Sequence, residues 1–186
     1  MSWNLVELGH VAPSAWRNGG GSTRELVTWP DVANWKWRLS VAEVERDGPF
    51  SRFEGVERWF AVLQGQGVRL DIAGFRHELG SNSDPLCFDG EAETDCTLVQ
   101  GPTQDFNLML RKGHGRSRMV RVCGRRSATL TSALTLGAYV VEGPAELTLA
   151  DGVLVLPPGT LAWRSLAAGA KVMLNAPNAL WMEIEA

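Results

Sequence analysis

Polar side chains that could bind a small molecule lie on short segments with the alternating pattern of β-strands. Thr23 and Glu25 share one face of a predicted strand, and Arg38 and Ser40 share one face of the next, because side chains two positions apart in a strand point the same way. A third such face carries Asp105, Asn107, Met109 and Arg111, and Arg58 opens the most apolar of the predicted strands.

The chemistry that this set predicts is recognition of a small polar anion. Arg38 or Arg58 would hold a carboxylate through two parallel hydrogen bonds, with amide and hydroxyl groups completing the contacts and aromatic rings bounding the pocket. The predicted ligand-binding residues are Trp16, Asn18, Gly20, Thr23, Glu25, Arg38, Ser40, Arg58, Asp105, Phe106, Asn107 and Met109.

Two alternatives remain open at this point. In the first, the charged side chains form internal salt bridges, Arg38 with Glu25 or Glu43 and Asp105 with Arg58, since both a lumen face and a solvent face of a strand can be polar. In the second, the protein is a metal-independent isomerase or hydrolase in which Glu25 and Asp105 act as an acid–base pair, one with a raised pKa and one ionised.

The glycine-rich segment from Trp16 to Leu26 must position part of this set. Three consecutive glycines, Gly19 to Gly21, are typical of a backbone that needs positive φ or a close approach. The segment lacks the Lys-Ser/Thr of a phosphate loop and precedes a strand instead of a helix, which excludes nucleotide binding in that mode. We predict that it forms the rim of a ligand-binding barrel.

Metal and nucleophilic chemistry find no support in the sequence. The three histidines, His10, His77 and His114, are far apart in the sequence and fall on different predicted elements, so they do not form a recognisable set of imidazole ligands for a divalent metal. No Gly-x-Ser-x-Gly elbow is present. We predict no metal ligands, no catalytic residues and no cofactor.

The elements that carry these residues predict an all-β protein. Short strands separated by Gly and Pro follow one another at the spacing of a sandwich or barrel, and no window of twelve residues has helical periodicity. Residues 61–65 (AVLQG) and 139–143 (YVVEG) align at an offset of 78 residues, which indicates two duplicated β-barrels. The boundary is predicted in the basic, glycine-interrupted segment 113–126.

Composition and charge also indicate which partners and which cellular compartment to expect. The net charge is −3 and the basic residues are scattered, so direct nucleic-acid binding is not predicted. No apolar run reaches the ~20 residues of a membrane span. The three cysteines are widely spaced, as in a reduced cytoplasmic protein. A homodimer is a further prediction, because five of the eight tryptophans could form an interface: Trp35, Trp37, Trp59, Trp163 and Trp181.

Five ordered blocks resemble the HutD/Ves family: Trp16-x-Asn-Gly-Gly-Gly-x-Thr-x-Glu25, Trp37-Arg-x-Ser-x-Ala-x-Val44, Asp47-Gly-Pro-Phe-Ser51, Phe53-x-Gly-x-x-Arg58 and Gly101-Pro-Thr-x-Asp-Phe-Asn-x-Met109. The resemblance implies double-stranded β-helix (cupin) barrels, a tandem bicupin in one chain. It also implies an association with bacterial histidine-utilisation operons and a regulatory, non-enzymatic role in sensing an anionic glutamate derivative.

From the repeat in the sequence and the family resemblance together, we expect three segments. Residues 1–112 form an N-terminal cupin-like barrel with the family motifs, 113–126 form a linker, and 127–186 form a smaller barrel that packs against the first or shares strands with it.

Overall fold

The computed structural model describes residues 2–186 and confirms the all-β prediction. Apart from one 3-10 helix, Leu8–His10, the regular structure of residues 2–186 consists of β-strands. None of the described residues belongs to a helix with the length and hydropathy of a membrane span.

Seventeen strands follow one another along residues 2–186. In chain order they are β1 Asn4–Glu7, β2 Ser14–Ala15, β3 Gly21–Trp29, β4 Trp37–Val44, β5 Gly48–Pro49, β6 Val56–Gln64, β7 Val68–Ile72, β8 Phe75–Leu79, β9 Leu86–Asp89, β10 Thr94–Leu98, β11 Thr103–Arg111, β12 Arg116–Thr129, β13 Leu134–Glu142, β14 Ala145–Leu149, β15 Gly152–Leu156, β16 Thr160–Leu166 and β17 Lys171–Glu185.

The chain forms two compact units, one of residues 11–114 and one of residues 115–186 together with the segment up to His10. This differs from the expected linker 113–126, because β12 begins at Arg116 and pairs along its whole length with β17. The basic residues of this segment lie on β12, whose strand pairing is made by backbone hydrogen bonds, so their charge does not indicate a linker.

The unit of residues 11–114 contains two antiparallel sheets, β2-β3-β4-β11-β6-β9 and β5-β10-β7-β8. Apolar side chains from both sheets form one core cluster, which includes Val44 and Phe60 from the first and Leu70 and Cys96 from the second. The three central strands of the larger sheet, β4, β11 and β6, are buried on both faces, and their sequences are therefore nearly continuous apolar runs.

The other unit contains a seven-stranded sheet, β1-β16-β13-β17-β14-β15, in which β12 also pairs with β17. Its core is apolar and is built around Leu136, Leu147, Leu174 and Trp181. The strand β1 comes from the start of the chain and pairs antiparallel with β16, with Asn4 opposite Trp163 and Glu7 opposite Thr160.

The tryptophans expected at a dimer interface are not exposed in the single chain. Trp37 and Trp181 are among the largest fully buried side chains, and Trp35, Trp59 and Trp163 are half-buried. The exposed tryptophan is Trp29, which stacks on Trp37 with ring centroids 6.2 Å apart. Two of the five tryptophans are therefore interior residues, and the homodimer stays a prediction.

Candidate functional site

The candidate site is built on a grid of side chains on one face of β4, β11 and β6. Met109 on β11 lies opposite Arg38 on β4 and opposite Arg58 on β6, so the two arginines flank one methionine. Two positions further along, Asn107 lies between Ser40 and Phe60. With neighbouring strands about 4.8 Å apart, the Cα atoms of the two arginines lie about 10 Å apart on the same face.

This face forms the floor of a cavity of about 540 Å³. The size is that of a small-molecule site. Segments outside the grid close the cavity: the turn before β3, and residues 49–53, which begin with the second residue of β5. The lining residues are Ala15, Trp16, Arg17, Asn18, Thr23, Arg38, Ser40, Ala42, Pro49, Phe50, Ser51, Phe53, Arg58, Asn107 and Met109.

Arg58 supplies a buried positive charge at this cavity. Its side chain is 7% exposed, and its Nε donates a hydrogen bond of 2.9 Å to Asn107 Oδ1. Three phenylalanine rings surround the guanidinium, those of Phe50, Phe60 and Phe88, at 4.6 to 5.9 Å from their centroids. Burial, together with the charge of Arg38, lowers the pKa of Arg58 to about 10, which leaves it charged at neutral pH.

Arg38 is less buried and has a carboxylate partner. Its Nη1 lies 3.6 Å from Glu25 Oε2, and its guanidinium stacks over the rings of Trp35 and Phe53 at 5.2 and 4.9 Å. Its Nε is buried without a hydrogen-bond partner. Burial lowers the pKa of Arg38, while the charge of Glu25 opposes the change.

Asp105 lies one row beyond Asn107 on β11, between Ala42 and Val62, and is fully buried. Its Oδ2 accepts a hydrogen bond of 2.8 Å from Thr103 Oγ1, and its Oδ1 has no hydrogen-bond partner. Burial raises the pKa of Asp105 to about 7, against the opposing effects of the Thr103 hydrogen bond and the charge of Arg58. The carboxyl group is therefore partly protonated at neutral pH.

The turn before β3 brings Trp16, Arg17 and Asn18 to the cavity. Backbone hydrogen bonds close it, from Trp16 N to Gly21 O at 2.9 Å and from Gly19 N to Trp16 O at 3.0 Å. Side chains add two more, from Gly20 N to Asn18 Oδ1 and from Trp16 Nε1 to Thr23 Oγ1. The glycines shape this turn, and their backbone does not itself line the cavity.

We expect Gly21→Ala to destabilise the protein by about 3 kcal/mol, because a Cβ atom at residue 21 would lie 2.1 Å from the backbone oxygen of Glu43 on the neighbouring strand. Gly19→Ala is the matched control. Gly19 has a φ of +67° but open space around it, so an alanine there should cost only about 1 kcal/mol of backbone strain. Urea unfolding of both variants measures the difference, and equal losses would contradict the steric argument.

Eight of the twelve predicted ligand-binding residues line the cavity together: Trp16, Asn18, Thr23, Arg38, Ser40, Arg58, Asn107 and Met109. The structure does not place the other four there. Phe106 points to the opposite face of β11, as alternation requires, and Asp105 is fully buried one row beyond Asn107, outside the lining. Glu25 is an exposed partner of Arg38, and Gly20 is buried in the turn.

The salt-bridge alternative holds for one of its pairs. Arg38 pairs with Glu25, whereas Glu43 pairs with Arg24 at 3.5 Å. Asp105 and Arg58 interact only through their charges, because each forms its hydrogen bond with another side chain.

Sequence reasoning missed seven lining residues: Ala15, Arg17, Ala42, Pro49, Phe50, Ser51 and Phe53. Four of them belong to the segment 49–53. A signal for this segment was present in the sequence, since its four lining residues belong to two of the motif blocks and include two phenylalanines in a stretch without strand periodicity.

Among residues 2–186, no group of three or more His, Cys, Asp and Glu side chains is arranged to hold a metal ion. The polar groups that the cavity offers are guanidinium, amide, hydroxyl and indole N–H groups.

The HutD family model matches residues 9–185. The chain belongs to the HutD family. Among curated relatives, an uncharacterised 21.2 kDa protein in the hutC 3′ region of Pseudomonas putida is 34% identical over 137 residues, 73% of this chain and 72% of the relative. The protein Ves of Citrobacter koseri is 37% identical over 135 residues, 71% of this chain and 69% of the relative.

Solved structures agree with this assignment. HutD from Pseudomonas fluorescens SBW25, solved in a formate condition, is similar with a TM-score of 0.83 and 26% identity over 98% of this chain and 97% of that one. An oxalate decarboxylase from Lactobacillus farciminis shares only 9% identity, with a TM-score of 0.71 over 100% of this chain and 87% of that one, and shows likeness of fold alone. The fold of this HutD-family chain is cupin-like.

Proposed function

We propose that this HutD-family protein binds a small anionic metabolite in the cavity beside Arg38 and Arg58. The observation that carries the proposal is the charge of the lining, which contains three arginines and no acidic residue, in a protein of net charge −3. Because a buried charge is costly without a counter-charge, a cavity of this kind favours an anionic ligand.

The charge balance inside the cavity is positive. Glu25 offsets Arg38 from outside the lining, but Arg58 has only the neutral amide of Asn107 and the partly protonated Asp105 near it. Burial, and after it the repulsion from Arg38, lowers the pKa of Arg58. A bound carboxylate would relieve both the repulsion and the desolvation, so binding should be stronger than at an exposed arginine.

The rest of the lining suggests the ligand class. Ser40, Asn107 and Thr23 offer hydrogen bonds, and Phe50, Phe53 and Met109 offer apolar contacts. A short carbon chain with a carboxylate and a second polar group fits such a site and the volume of about 540 Å³. A glutamate derivative has this composition.

The biological role that we propose is regulation of histidine utilisation through sensing of a pathway intermediate. It is supported by the family assignment and by the relative of Pseudomonas putida, which is described by its position in the hutC 3′ region. Sensing needs a site that binds without reacting, and the lining offers no carboxylate, thiol or imidazole that could act as a base or nucleophile.

Calorimetric titration with urocanate, formiminoglutamate and N-formyl-L-glutamate tests the proposal. We expect at least one of them to bind saturably at one site, and the neutral diamide of N-formylglutamate to bind at least about 100-fold more weakly because it cannot pair with a guanidinium. Equal affinity for the acid and its diamide, or no binding of all three acids, would contradict an anion site.

The enzymatic alternative is tested by following the same mixtures by NMR. Glu25 and Asp105 lie on strands separated by β4 and neither lines the cavity, so the proposed acid–base pair does not face a common ligand. We expect a saturable shift of the ligand signals without turnover. New product signals would contradict the non-enzymatic proposal.

We also propose that the two units are tandem cupin barrels. The hairpin of β7 and β8 and the hairpin of β14 and β15 have the same lengths at an offset of 77 residues, and β8 and β15 have the same pattern of burial. In each unit a nine-residue strand precedes the hairpin, β6 in one and β13 in the other. Such correspondence supports a duplication.

A further inference from the structure

Asp105 is a buried acid in the unit of residues 11–114 that the anion-binding proposal leaves without a role. Its carboxyl group is fully buried on the same face of β11 as Asn107, the residue that receives the hydrogen bond of Arg58 Nε. One carboxyl oxygen accepts from Thr103, and the other has no hydrogen-bond partner. A natural core rarely retains an acid of this kind, because an apolar side chain would cost less.

The charges around Asp105 come from few groups. Arg58 on β6 is the charged group that acts on it, and Thr103 on its own strand supplies the hydrogen bond. The neighbouring titratable group is Cys96 on β10, whose pKa is raised to about 12 by burial and the charge of Asp105, so it stays a neutral thiol. The protonation of Asp105 therefore decides how much of the charge of Arg58 is offset from within the protein.

We propose that Asp105 and a bound anion compete for the positive charge of Arg58, so that anion binding is coupled to proton uptake by Asp105 and weakens as the pH rises. The inference rests on the proposed function, since it concerns the same cavity. It adds a dependence of binding on pH, which the lining residues alone do not give.

The direction follows from electrostatics. A bound anion adds negative charge near Asp105, which raises the pKa of its carboxyl group from about 7 and draws a proton from solution. By linkage, a rise of about one unit in the pKa corresponds to about tenfold weaker binding well above this pH than well below it. The ligand itself contributes nothing to the change when its carboxylates stay ionised across the range.

Calorimetric titration of wild type and Asp105→Asn with N-formyl-L-glutamate, at pH 6 and pH 8.5, tests the coupling. For wild type we expect about tenfold weaker binding at pH 8.5, and at pH 7 a binding enthalpy that depends on the ionisation enthalpy of the buffer. For Asp105→Asn we expect one affinity at both pH values, within threefold of wild type at pH 6, and no dependence on the buffer.

The matched control is Asp95→Asn, an exposed aspartate on β10, which should keep the pH dependence of wild type. Since Asp105→Asn could fold poorly, the ¹³C signal of the Asp105 carboxyl group in wild type gives a second measurement, and its titration midpoint should rise when the probe is added. Affinity of wild type that does not change with pH, or a pH dependence retained in Asp105→Asn, would overturn the inference while leaving the anion site intact. Absence of binding at both pH values would instead overturn the proposed function and the inference with it.

Discussion

Replacing Arg58 by methionine is expected to abolish binding of small carboxylates while the protein stays folded. The guanidinium is the most buried charge of the cavity, so its contact with an anion is little screened by water, and its loss should weaken binding at least about 100-fold. Methionine has a similar length and can fill the space between Phe50, Phe60 and Phe88. Calorimetric titration with N-formyl-L-glutamate measures the effect.

Stability should change much less than binding in Arg58→Met. Removing a buried charge is favourable, but Asn107 loses the donor of its hydrogen bond, and the two effects oppose each other. Arg69→Met is the matched control, because Arg69 is exposed on β7 and pairs with Glu78 at 3.0 Å. It should bind the probe like wild type. Undiminished binding by folded Arg58→Met would refute the role of this arginine.

The second large effect concerns Asp105 and the pH dependence of stability. The folded protein keeps a proton on this carboxyl group up to about pH 7, whereas the unfolded chain releases it near pH 3.9. Between these values the folded state binds more protons than the unfolded state, so the free energy of unfolding falls as the pH rises. The total loss from this group is up to about 4 kcal/mol.

Asp105→Asn removes this ionisation and should therefore be more stable than wild type at pH 8, by about 2 kcal/mol after the cost of burying a new amide N–H. At pH 5, where the wild-type carboxyl group is neutral when folded, no gain is expected. Urea unfolding followed through the NMR signals of β11 reports on this unit. The control Asp95→Asn should follow wild type, and parallel pH profiles for Asp105→Asn and wild type would refute the buried ionisation.

Much of the fold could be predicted because strand alternation is a local property. The segment around Arg38 and Ser40 alternates in period two, and its register in the sheet leaves that alternation unchanged. Local patterns also predicted that Asn107 and Met109 share one face of a strand. Local patterns could not show that β11 lies between β4 and β6, since these pairings join residues at least 40 positions apart.

The differences between the predicted residues and the cavity lining have the same origin. Nothing local distinguishes Asp105 from Asn107, two positions apart on one face, yet Asp105 is fully buried outside the lining and Asn107 lines the cavity. The difference lies in the pairing, since Asp105 is opposite Ala42 and Val62, one row further than Asn107 from the row of Arg38 and Arg58. Likewise, Phe106 was placed in the pocket although it alternates with both of them along β11.

The pairing of β1 with β16 has a consequence for the order of folding. Residues 11–114 are complete as soon as they leave the ribosome, because all the strands of that unit lie within this stretch. The unit of residues 115–186 is different, since its edge strand is synthesised first and its partner about 150 residues later. The strand β1 therefore stays unpaired through most of translation. A fragment that starts at residue 115 would lack β1 and would expose the edge of β16 to pairing with other chains.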